Sequence, residues 1–69
     1  MKISARNVLK GKVTRIVKGV VNPEVSIALT DGTEIVSIIT RSSMKDLSLK
    51  KGKEVYAIIK ASNVMIAID

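Results

Sequence analysis

The sequence predicts an all-β domain: a small five-stranded OB-like barrel with one short helix between the third and fourth strands. Three observations lead there. Hydrophobic residues make up 46% of the 69 positions, yet aromatics only 1%, so the apolar content is mostly Val, Ile and Ala. These residues come in short runs broken by Gly, Pro, Asn and Asp, which is the pattern of strands and turns. The runs number five, and a Ser-rich segment with helical spacing separates the third from the fourth, giving the order β-β-β-α-β-β. A small open β-sandwich or an SH3-like barrel is the alternative architecture. Residues 1–69 form a single domain, because domains rarely fall below about 50 residues.

The first run is Val8 to Val17. Leu9, Gly11 and Val13 share one face, and Lys10, Lys12 and Thr14 the other. Ile16 breaks the alternation, as a bulge or bend would. Gly11 suits a close approach of another backbone. The second run, Glu24 to Thr30, alternates cleanly: Val25, Ile27 and Leu29 against Glu24, Ser26 and Ala28. Asn22-Pro23 marks the turn before it. Asp31-Gly32 then predicts a tight hairpin with positive φ at both central residues, leading into the third run, Glu34 to Thr40. Ser42-Ser43 followed by Met44 and Leu47 at i, i+3 spacing reads as one or two Ser-capped helical turns. Lys50 to Lys53 makes a basic turn into the fourth run, Glu54 to Lys60. The fifth is Val64 to Ile68.

The third, fourth and fifth runs are apolar on both faces. A barrel of this size has one interior, so the outer face needs a second chain to cover it. Length points the same way. Small scaffolds rely on disulfides, a metal or oligomerisation. With no Cys and no His, the first is closed, and the usual zinc and general-base ligands are missing. Metalloenzyme, Cys-protease and Ser-His-Asp hydrolase readings fail for the same reason.

Twelve Lys and Arg face six Asp and Glu, a net charge of +6. Lys2, Arg6, Lys10, Lys12, Arg15 and Lys18 all precede the first acid, Glu24. An anionic partner is expected. Nucleic acid is disfavoured, since OB folds hold single strands by stacking bases on aromatic side chains and only Tyr56 is aromatic. A small oxyanion needs less: hydroxyls, backbone N–H groups and a few cations. Three segments offer them. Ser4 and Arg6 lie on one side of an extended segment. Thr40-Arg41-Ser42-Ser43 enters the helical turn. Lys60-Ala61-Ser62-Asn63 joins the last two runs. Singly, each segment reads better as a cap, a turn or a solvated charge. No apolar stretch has the length of a signal peptide or membrane span, so a cytoplasmic location is expected.

Ile3-Ser4-Ala5-Arg6-Asn7, Leu9-Lys10-Gly11-Lys12-Val13, Lys18-Gly19, Ile38-Ile39-Thr40 and Ile59-Lys60-Ala61-Ser62-Asn63-Val64-Met65 together resemble a Mop domain over essentially the whole chain. Single domains of this kind are the molbindins, small molybdate- and tungstate-binding proteins. The resemblance implies an OB-like barrel, a homohexamer and oxyanions bound between subunits, with no catalysis and no organic cofactor. It assigns the main site to Ser4, Arg6, Lys60 and Ala61, with hydroxyl donors at Thr40 and Ser43, Ser42 being the neighbouring alternative. A second type of site, on symmetry axes of the hexamer, falls near Lys18, Gly19 and Val20. The competing readings are a nucleic-acid-binding OB module and a module that docks on a larger protein without a ligand.

Overall fold

A computed structural model describes every residue from Met1 to Asp69. Strands β1 (Asn7–Lys18), β2 (Pro23–Leu29) and β3 (Glu34–Ile38) come first. Helix α1 (Arg41–Asp46), strand β4 (Glu54–Ile59) and a 3₁₀ turn (Ala61–Asn63) follow. The four strands form one antiparallel sheet in the order β3-β2-β1-β4. The chain is therefore all-β with one short helix, as expected.

The fifth strand does not form. Beyond Val64 the chain makes no backbone hydrogen bond, and the sheet stays open with β3 and β4 as free edges. The continuous apolar run tells that Val64–Ile68 suits a sheet edge. It does not tell whose edge.

Long β1 pairs with β2 along most of its length and with β4 over its first half. Its register slips between Val13 and Arg15, leaving Thr14 as the extra residue of a bulge. Ile16 suggested the irregularity two residues too late, because the bulge itself shifts the face on which later side chains fall. The Thr14 hydroxyl donates to Ser26 O at 3.3 Å across the bulge. Gly11 is the close approach the sequence implied. A Cβ there would lie 2.6 Å from Ala28 O and 2.7 Å from Ile27 Cγ2.

The β2–β3 hairpin differs in turn type. Gly32 has φ +90°, while Asp31 has no positive φ. Gly32 N donates to Leu29 O, and Leu29 N to Thr33 O. This is a three-residue loop with a left-handed glycine, not the two-residue turn expected. Asp31 holds it together by accepting from Thr33 N at 2.9 Å and from Thr33 Oγ1 at 3.0 Å. Those bonds favour the carboxylate and keep its pKa below the ordinary range.

Helix α1 is capped by Thr40, two or three residues ahead of the serines expected to do so; Thr40 Oγ1 accepts from Ser43 N at 3.0 Å. At the other end Ser48 takes φ 51°, with Ser48 N bonded to Lys45 O and Leu49 N to Met44 O. This is a Schellman stop with serine where glycine is usual. Lys53 Nζ donates to Leu47 O and Ser48 O, so this member of the basic turn anchors the helix end.

The core is small. Val13, Val25, Ile27 and Ala57 are buried, with Ile16, Leu29, Ile35, Ile39, Leu49 and Val55 packed half-buried around them. Outward-facing Val36, Ile38, Tyr56 and Ile58 remain exposed on the two edge strands, which is the uncovered apolar face read from the sequence.

Candidate functional site

Strand register brings the opening and closing motifs together. Asn7 on β1 pairs with Ile59 on β4, and Asn7 Nδ2 donates to Ile59 O at 3.1 Å. Arg6 precedes one member of that pair and Lys60 follows the other, so both cations sit at the same end of the sheet. Ser4 lies two residues further out and Ala61 begins the 3₁₀ turn; all four are exposed. In that turn Asn63 N donates to Lys60 O at 2.8 Å and Val64 N to Ala61 O at 3.3 Å. The N–H groups of Ala61 and Ser62 have no protein acceptor, as expected for the first donors of a helical turn.

No carboxylate competes for these cations. The single ion pair of the chain, Lys10 to Glu54 at 3.6 Å, lies elsewhere. Nor do three or more His, Cys, Asp or Glu side chains converge anywhere to hold a bare metal ion. The chemistry on offer is donation: a guanidinium, an ammonium, a hydroxyl and free N–H groups, all suited to the oxygens of an anion.

Thr40 and Ser43 stand at the opposite end of the sheet. The Thr40 hydroxyl donates to Ser43 Oγ at 2.9 Å, leaving the Ser43 proton free to point outward. Ser42 is exposed and makes no hydrogen bond through its side chain. Ile38, at the end of β3, pairs with Glu24, which pairs with Val17. Ten residues of β1, bulged at Thr14, lie between the level of this end and that of Asn7. One chain does not bring the six residues of the main site into one place. It carries two half-sets, Ser4–Arg6–Lys60–Ala61 and Thr40–Ser43.

Lys18, Gly19 and Val20 adjoin the second half-set. Arg41 Nη2 donates to Gly19 O at 2.8 Å and to Val20 O at 3.2 Å, which fixes the turn after β1. Lys18, Arg41 and Lys45 rim an open hollow of about 560 Å³ beside it. Two residues escaped the sequence reading. Asn7 had a place in the opening motif but no role, and Arg41 passed as one member of a polar segment. Nothing local signals either, because both act across 20 residues or more of chain.

Residues 3–66 match the model of the TOBE domain. The chain belongs to the TOBE-domain family. This TOBE domain is 49% identical over all 69 residues to a probable molybdenum-pterin-binding protein of Haemophilus influenzae, covering the whole of both chains. Among solved structures it is similar to a molybdate-binding protein from Sporomusa ovata, with a TM-score of 0.91, 41% identity and coverage of 99% of this chain and 100% of that one. It is similar also to the cytoplasmic molybdate-binding protein ModG with molybdate bound (TM-score 0.90, 49% identity), covering 94% of this chain and 46% of that one. The TOBE domain seen here has the fold of these proteins, and the Mop-like motifs of its two ends fall within the matched residues.

Proposed function

We propose that this TOBE domain binds molybdate or tungstate between the subunits of a homohexamer, without catalysis, for storage or homeostasis of the metal in the cytoplasm. One observation carries the reading. The Asn7–Ile59 pair sets two cations free of carboxylate partners, Arg6 and Lys60, beside the unused N–H groups of Ala61 and Ser62. Molybdate is a dianion at neutral pH. Two cations balance its charge, and neutral donors complete its shell without excess charge.

The separation of the two half-sets supports a site shared by two chains. The Arg6–Lys60 end of one subunit would meet the Thr40–Ser43 end of another. The likeness to proteins named for molybdate or molybdenum-pterin binding supports the ligand class, and ModG, described as cytoplasmic, supports the location. The hollow by Lys18, Arg41 and Gly19 is the place for the second type of site. Sulfate carries the same charge but is smaller, so discrimination falls to the size of the assembled cavity. Titration calorimetry with molybdate, tungstate and sulfate tests the reading. Heat from the two metal oxyanions is expected, and silence from both at micromolar protein would overturn it.

A further inference from the structure

Asn7 is tied to both cations of the proposed site, by a different link to each. It follows Arg6 in the chain, and across the sheet its side chain meets the residue before Lys60. Asn7 Nδ2 donates to Ile59 O at 3.1 Å, a part-buried bond between residues 52 apart in sequence. The Asn7–Ile59 pair is the last of the β1–β4 ladder on this side. Beyond it no strand pairing holds Arg6 or Lys60.

The bond acts on more than one oxygen. Ile59 O and Lys60 N belong to the same planar peptide unit. Holding the oxygen sets that plane, and with it the direction in which Lys60 leaves the strand. Lys60 is extended, with φ −63° and ψ 138°, and stands at the N-cap of the 3₁₀ turn. No side chain caps that turn, so the Ala61 and Ser62 N–H groups stay free. A rotation of the Ile59–Lys60 peptide would swing the ammonium stem and both N–H groups together, out of step with Arg6.

The residue type suits this task. Aspartate has the same size but, ionised, no donor. Its carboxylate would face the Ile59 carbonyl and set a negative charge beside two cations. Serine is shorter, and glutamine longer by one methylene. Asparagine supplies the donor without a charge, so Arg6 and Lys60, which have no carboxylate partner, keep theirs for an anion.

We propose that Asn7 is a positioning residue for the oxyanion. Its amide fixes the Ile59–Lys60 peptide and so holds the Lys60 ammonium and the Ala61 and Ser62 N–H groups in register with Arg6. It acts through Lys60 and the turn, not by contact with the ligand. The inference rests on the anion site proposed above and adds a residue to it.

A double-mutant cycle tests this. Titration calorimetry with molybdate gives Kd for the native chain, Asn7→Ala, Lys60→Ala and the combined variant, and for Thr40→Ala with and without Asn7→Ala. Light scattering and thermal unfolding without oxyanion accompany each titration. Asn7→Ala is expected to raise Kd about tenfold, the scale of one hydrogen bond. In the Lys60→Ala chain it is expected to add a factor of only about two, because the main group it positions is gone. In the Thr40→Ala chain, altered at the other end of the sheet, its full effect is expected. Equal factors in all three backgrounds would overturn the proposal, since Asn7 would then act on the fold as a whole. So would an unchanged Kd for Asn7→Ala, with the anion site left standing. Silence from the native chain would remove the site itself, and the role of Asn7 with it. Asn7→Asp keeps the size of the side chain and serves where alanine fails to fold. It is expected to weaken binding more than Asn7→Ala does, and native-like binding would count against the proposal. Loss of the folded state in both variants would overturn it, because Asn7 would then be a residue of the fold.

Discussion

Arg6 and Lys60 contribute most directly to the proposed chemistry, because each can donate to an anion and neither spends its charge on a carboxylate of its own chain. Arg6→Ala and Lys60→Ala are each expected to weaken molybdate binding by about 1.5–3 kcal/mol, the range for hydrogen bonds to charged groups. In a titration that is roughly a 10- to 150-fold rise in Kd. Normal binding by both variants would place the site elsewhere. Gly11 tests the fold at the same scale. The backbone carbonyl of Ala28 and the side chain of Ile27 occupy the space a methyl group would need. Gly11→Ala is therefore expected to cost about 1–3 kcal/mol, the usual penalty for overpacking, read from urea unfolding at fixed protein concentration.

The elements carry their own strains and supports, and two can be measured. Ser48 stops α1 in a left-handed conformation that costs a non-glycine residue roughly 1–2 kcal/mol. Ser48→Gly relieves this but loosens the unfolded chain by about 0.4–1 kcal/mol. A net gain of about 0.5 kcal/mol is expected in thermal or urea unfolding, again at fixed concentration. In the β2–β3 hairpin, Asp31 is bonded as a carboxylate to Thr33, so its folded pKa lies below its unfolded one. Its contribution is present above the unfolded value near ~3.9 and is lost as pH falls through the folded value. The stability gap between the native chain and Asp31→Asn is expected to close on acidification through that window. Both features also show what was legible in the sequence. Strands β1 and β2 were readable from the alternation of their residues, and β3 and β4 as short β-branched runs bounded by turn residues. The glycine of the hairpin was readable, its loop length was not, because Asp31 suits both turn types and only the Leu29–Thr33 bond selects one. The position of the bulge depended on Ser26 across the sheet, and the Thr40 cap on a choice among neighbouring hydroxyl residues. Ser4, Arg6 and Lys60 were legible as donors. That Asn7 and Ile59 bring two of them to one end, and that Thr40 and Ser43 stand at the other, depends on pairings that no local spacing encodes.

At the scale of the whole molecule, a cluster of four buried hydrophobic residues is a slight core for 69 residues, while Val36, Ile38, Ile58 and the apolar tail lie open to water. In the proposed assembly such a chain draws stability from association, and association couples to the ligand if the site spans two subunits. Two dependences of Tm then follow. Without oxyanion, Tm is expected to rise with protein concentration, because unfolding releases subunits. With molybdate at about 100 times its Kd, the native state gains about 2.7 kcal/mol per site, a shift on the order of 10 °C for a domain of this size. Arg6→Ala separates the two, since it removes a ligand contact and leaves the apolar surfaces intact. The variant is expected to keep the concentration dependence and lose most of the molybdate shift. Truncation after Asn63 removes the apolar tail and keeps Arg6 and Lys60, so it is expected to abolish the concentration dependence first. Its molybdate shift should fall as well, because a half-site alone offers the anion only part of its donors. A truncated chain that remains a single subunit and still gains the full shift would mean that one chain binds the oxyanion unaided, and the shared site would have to be abandoned.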